Sequence, residues 1–198
     1  MPQELSQKSQ QKITSGLHGL MALGVVFQVL MIAFRELVGH HSTWSSYREL
    51  AIELHQYVGI FVFIVIALYF LQKILMARQD FYTRFYPMTK TSWIKIREDI
   101  FCLVIQRKLP VRINKYSLGG LSGLVQGLGL LLVLFLSGVG TLAMCSWYGW
   151  LGVPAEWGDQ LLIAHRFFGV LIWWYLGGHV SMALLHRIIP KEFQKEFF

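Results

Sequence analysis

Between Leu161 and Leu185 the chain reads LLIAHRFFGVLIWWYLGGHVSMALL, an apolar run with one formal charge, Arg166, near its start. About 20 such residues are enough to cross a hydrocarbon layer as a helix. Two ionisable rings, His165 and His179, sit inside the run. Their separation of 14 residues, at about 100° per residue, brings them to within roughly 40° of one face, with an axial rise of about 21 Å. The stretch predicts a membrane helix that presents two imidazoles inward, one near each membrane surface.

Three more uncharged stretches of spanning length precede it. Ile13 to Phe34 and Leu54 to Gln72 hold no Asp, Glu, Lys or Arg, and a third lies within Tyr116 to Ala155, from about Leu118 to Met144. A spanning barrel needs many short alternating segments instead. The expected fold is an all-α integral membrane four-helix bundle, a single domain over 1–198, with spans at about 13–35, 52–73, 118–144 and 161–186 and a long connection at 74–117. Composition agrees: 55% of the 198 residues are hydrophobic and 15% charged, against about 45–50% and about 25% in soluble domains. A water-soluble globule and a disordered chain are both excluded. Aromatic residues, 15% of the chain, suit interfacial belts and a large flat ligand.

The net charge of +7 is sorted by position. Lys8 and Lys12, ten basic residues between Lys73 and Lys115, and Arg187, Lys191 and Lys195 all fall on one side of a four-span chain, 15 of the 18 basic residues. The other side carries Arg35 and Arg48 among Glu36, Glu49 and Glu53, then Glu156 and Asp159. An excess of Lys and Arg marks the cytoplasmic side, so both termini are expected there, in a bacterial cytoplasmic (inner) membrane. The basic surplus reads as topology, not as a nucleic-acid footprint. The first apolar run is too long for a signal-peptide core and no small-x-small site follows, so it reads as a retained helix. Cys102 and Cys145 match no metal or redox spacing.

The 74–117 connection is far longer than an ordinary helix–helix loop. Within it, Trp93 to Ile105 mixes aromatic, apolar and charged residues in the manner of a helix lying on the inner membrane surface. Lipid contact and a docking surface for a partner are equally open readings.

Four of the seven histidines, His18, His55, His165 and His179, fall inside apolar spans, where an ionisable group is expensive and points to function. One such residue is often only a neutral histidine hydrogen-bonded inside a bundle. Four share a pattern: His18 and His179 lie about one turn inside the cytoplasmic ends of their helices, and His55 and His165 about one turn inside the outer ends. Zinc would need four ligands converging on one point, which the rise along the last helix forbids. Two imidazoles facing across a bundle suit a six-coordinate haem iron. Glycines recur beside the ligands: Gly16 and Gly19 flank His18, Gly59 follows His55, Gly169 follows His165, and Gly177-Gly178 precede His179. Glycine also serves close helix packing.

On these residues the sequence resembles the bacterial cytochrome b561 family, which includes the b-type cytochrome subunits of nickel–iron hydrogenases and, more distantly, of formate dehydrogenases. The resemblance rests on His18 early in the first helix, Leu54-His55-x3-Gly59 opening the second, and His165-x13-His179-x6-His186 in the fourth. It implies two haem b groups as cofactors, with His18 and His179 holding the inner one and His55 and His165 the outer one, and a quinone as substrate. The long connection, ending Lys108-Leu109-Pro110-Val111-Arg112-Ile113-Asn114-Lys115-Tyr116, is more similar to the enzyme-subunit branch than to the simplest members.

His186, seven residues beyond His179, rivals it for the inner site. His40-His41 in the first outer loop read as solvated or as a metal or partner contact. Arg166 either snorkels to the interface or binds the outer haem's propionates; Lys12 and Arg187 are candidates for the inner ones. Gln126 and the glycines Gly119-Gly120-x2-Gly123-x3-Gly127-x-Gly129 allow close packing or a quinone headgroup, packing being the simpler account. No catalytic triad, paired carboxylates or phosphate loop is present. Three functions compete: a di-haem electron-transfer subunit linking a redox protein or catalytic subunit to membrane quinone, a self-contained superoxide:quinone oxidoreductase, and a non-redox scaffold or proton-relay transporter.

Overall fold

The computed structural model describes residues 2–38, 45–76, 89–105 and 120–188. All regular structure among these residues is helical: α1 Pro2–Val38, α2 Ser45–Met76, α3 Lys90–Val104, α4 Leu121–Trp147 and α5 Trp157–Ile188, with a 3-10 turn at Trp150–Gly152. Four stretches are long and apolar enough to cross a membrane: Lys12–Val38, Ser46–Leu75, Leu121–Trp147 and Trp157–Leu184. The all-α membrane fold expected from the sequence is the one observed.

The helices run beyond the uncharged windows because a backbone helix need not stop where charge begins. Arg48, Glu49 and Glu53 ride on the first turns of α2, so His55 lies about three turns from the helix start. Its depth in an apolar layer is counted from Glu53 instead.

The amphipathic stretch of the long connection is helical as α3. Thr89 caps it, its Oγ1 accepting from Ser92 N at 3.2 Å, which satisfies one of the free donors of a first turn. Ile96 is buried, while Trp93, Ile94, Ile100 and Phe101 are exposed.

By contacts the chain forms two compact units, one of Met1–Gln72 with Leu132–Leu171, the other of Lys73–Leu131 with Ile172–Phe198. In the first, the buried residues of α2, Val62, Val65, Ile66 and Tyr69, and of α4, Val133, Leu136, Val139 and Ala143, recur at helical spacing, each set one stripe facing protein. The α1–α2 pair is antiparallel. Gly24 of α1 takes the Val62 side chain where its own β-carbon would be, and Gln72 donates to Thr14 Oγ1 at 3.2 Å. In α4 the hydroxyls of Ser137 and Thr141 donate back to the carbonyls of Val133 and Ser137, each at 2.7 Å. That hides polar hydrogen from a medium without water. Ser146 Oγ donates to Pro154 O at 2.6 Å and closes the turn into α5. Gly149, Leu151 and Gly152 in this turn all have positive φ.

In the second unit, Asp99 of α3 accepts from Leu121 N at 2.8 Å, capping the start of α4 from another element. Gly120 has φ +83°, and a β-carbon there would collide with the Asp99 carboxylate. Both features make this junction dependent on glycine.

Candidate functional site

His55 on α2 and His165 on α5 meet within the first unit. Their ring centroids are 6.0 Å apart and their planes cross at 80°. Sequence placed both at one level of the membrane, and the structure brings the two rings together edge-on.

His165 is held from three sides. Its Nδ1 lies 3.0 Å from the Leu136 carbonyl of α4. A carbonyl only accepts, so Nδ1 carries the proton and Nε2 keeps its lone pair. Gly140, one turn along α4, leaves room for the ring, since a β-carbon would stand 3.0 Å from Cε1 and 3.1 Å from Nδ1. Phe168 packs edge-on against Phe135 with centroids 4.7 Å apart, fixing the next turn of α5.

His55 is held through its main chain. Gln28 of α1 donates from Nε2 to the His55 carbonyl at 2.7 Å. His55 Nδ1 is buried without a hydrogen-bond partner, and so is Gln28 Oε1.

The other expected residues are placed as follows. His18 lies on α1 in the first unit and is exposed. His179 lies on α5 in the second unit, half-buried, with the Tyr175 ring stacked on it at 5.4 Å and the Tyr175 hydroxyl 3.5 Å from Nδ1. Tyr175 in turn occupies the space that a side chain at Gly129 would fill. Arg166 is exposed, more than two turns inside α5. Gln126 is half-buried among the buried glycines Gly123, Gly127 and Gly129, and at Gly129 the glycine serves the approach of Tyr175. His186 lies on the last turns of α5, and His40 and His41 lie outside the described residues.

β-Carbons added at Gly16, Gly19, Gly169, Gly177 or Gly178 would meet nothing within 4 Å. These five glycines face open space and not a packed neighbour. Gly59 differs: its face is turned to the Gln28 amide, 3.5 Å away, because that amide needs access to the His55 carbonyl.

The family model for prokaryotic cytochrome b561 matches residues 9–196. The chain belongs to that family. No curated protein and no solved structure matches it. As a cytochrome b561 it is a bacterial membrane protein that binds b-type haem and transfers electrons.

The donor set fits such a group. A metal bound to a ring nitrogen at about 2.0–2.1 Å lies about 3.2 Å from the ring centre, so two imidazoles on opposite sides of it stand about 6.4 Å apart. The His55–His165 separation of 6.0 Å is close to this. Among the described residues no three His, Cys, Asp or Glu side chains gather as ligands for a bare ion, whereas haem brings four nitrogens of its own and asks the protein for two. The Nδ1–H to carbonyl bond of His165 is the usual second-sphere support of an imidazole ligand.

Sequence reasoning missed four contributors to this region. Gln28, the Leu136 carbonyl and Gly140 act through main chain or through an absent side chain, and Tyr175 was read as part of an apolar run. A polar residue four before a candidate ligand, as Tyr175 is to His179, is the one signal that spacing alone could have supplied.

Proposed function

We propose that this cytochrome b561 carries two b haems and transfers electrons across the cytoplasmic membrane between a redox partner and the quinone pool, as the membrane subunit of a respiratory oxidoreductase. The observation that carries the reading is the His55–His165 pair, two rings at a bis-imidazole separation with the His165 Nε2 lone pair left free.

His55 and His165 hold the outer haem through their ring nitrogens, and His18 and His179 hold the inner one, on the strength of their matched depths in the sequence. Bound haem supplies a one-electron iron couple to each site. The chain's own part is to orient. Leu136 fixes the His165 tautomer, and Gln28 anchors the turn that carries His55. Arg166, exposed and next to His165, offers a guanidinium to a propionate. The basic inner connection and both termini face the cytoplasm. A subunit role is supported by α3, whose exposed Trp93, Ile94 and Phe101 offer contact area that an isolated pair of connecting turns would lack.

The test is a quantified haem content of the purified chain together with a reduced-minus-oxidised spectrum. Two haems per chain, reducible by a quinol, are expected. A content near zero sinks both redox readings and leaves the scaffold or proton relay. Superoxide consumption by the purified chain alone would favour the self-contained enzyme.

A further inference from the structure

Gln28 sits in the apolar span of α1 with its amide against the turn that carries His55. Which end of the amide faces the His55 carbonyl is fixed by chemistry. A carbonyl accepts only, so Nε2 must face it and Oε1 must point elsewhere. That carbonyl has two lone pairs and can serve its own helix and Gln28 together.

Two polar atoms then remain. Gln28 Oε1, an acceptor, and His55 Nδ1 are both buried and both without a partner. When His55 binds iron through Nε2, Nδ1 carries a proton and becomes a donor. An orphan acceptor and an orphan donor on two residues already joined by a 2.7 Å bond are complementary, and both atoms are shut from the surface.

We propose that Gln28 is the positioning residue of the His55 ligand, its Nε2–H holding the His55 carbonyl and its Oε1 accepting the His55 Nδ1–H. The proposal rests on the reading of His55 as an axial ligand. It makes the two ligands of this haem unequal in origin. His165 is oriented by a main-chain carbonyl, which substitution cannot remove, while His55 is oriented by a side chain, which it can. A hydrogen bond to Nδ1–H makes an imidazole a stronger electron donor, so Gln28 favours the oxidised iron and holds the potential of this haem down.

The experiment compares the haem-loaded full chain with Gln28→Met and Gln28→Glu by redox titration and electron paramagnetic resonance. Gln28→Met is expected to keep the wild-type haem content, shift the reduction equilibrium of one haem about tenfold toward the reduced form, ~59 mV for one electron, and leave the other haem unmoved. Gln28→Glu, which retains an acceptor, is expected to titrate at or below the wild-type potential. An unchanged potential in Gln28→Met overturns the proposal, as does an equal rise in both variants, which would mark a packing effect. If Gln28→Met does not assemble, proton electron–nuclear double resonance of the unmutated oxidised protein reads the ligand protons directly. Two hydrogen-bonded Nδ1 protons at this haem support the proposal and a free one overturns it. A wild-type chain without haem defeats the functional reading instead, so the two failures are distinct.

Discussion

The His165 ring rests on Gly140, so closely that a β-carbon at position 140 would stand 3.0 Å from Cε1. Alanine there asks the ring to move by a few tenths of an ångström, and a branched side chain asks for far more. Gly140→Val is therefore expected to cost one of the two proposed haems while leaving the helices intact, read by haem quantification beside circular dichroism. Two haems with an unaltered spectrum would show that His165 does not depend on this seat.

The proposed assignment of the histidines to two sites predicts distinct losses. His55→Ala or His165→Ala is expected to remove one haem and keep the other, and His18→Ala or His179→Ala to do the same for the second. His186→Ala is expected to keep both. Loss of both haems in every single variant of a folded chain would contradict two independent sites, and a one-haem His186→Ala alongside a two-haem His179→Ala would exchange the roles of those two residues.

Gly129 and Tyr175 form a second close seat. A methyl group at position 129 would occupy the space of the Tyr175 ring, which stacks on His179. Gly129→Ala is expected to destabilise the protein by about 1–3 kcal/mol, the range for overpacking a filled site, and to alter one haem spectrum only. Thermal unfolding in detergent and difference spectroscopy measure the two effects. A variant of wild-type stability would mean that Tyr175 can leave its place freely.

Much of this arrangement is legible in the sequence because burial in lipid leaves a coarse signal. Apolar runs around Ile13–Phe34 and Leu161–Leu185 announce helices, and α3 announces itself by mixing Trp93 and Phe101 with charged residues at helical spacing. His55 and His165 stand out because an imidazole in an apolar run is costly. The supports do not stand out. Gln28 looks like any polar residue used for helix packing, since its partner is a main-chain oxygen on another helix, and every residue has one. Gly140 is invisible for a related reason: its contribution is the volume it does not fill. Gly59 was legible as a small residue beside a ligand, but what it admits is the Gln28 amide.

Asp99 joins α3 to the start of α4 by accepting from Leu121 N. Its loss leaves a first-turn donor unpaired, and caps of this kind are worth about 0.5–2 kcal/mol. Asp99→Ala is expected to lower stability within that range and to expose α3 to limited proteolysis, with Asp99→Asn largely restoring protection because it still accepts. Equal cleavage of all three proteins would show that α3 is held by its apolar contacts alone.

The pairing of His55 with His165 has a consequence for how the protein is made. The two residues lie more than half the chain apart, one early in α2 and the other in the last spanning helix. If His55 and His165 are the ligand pair proposed above, no nascent fragment that lacks α5 contains both, and capture of that haem follows insertion of the final helix. On that reading, haem bound there would act as a staple that closes a loop of more than half the chain, and its presence in the membrane would report a polypeptide inserted through α5.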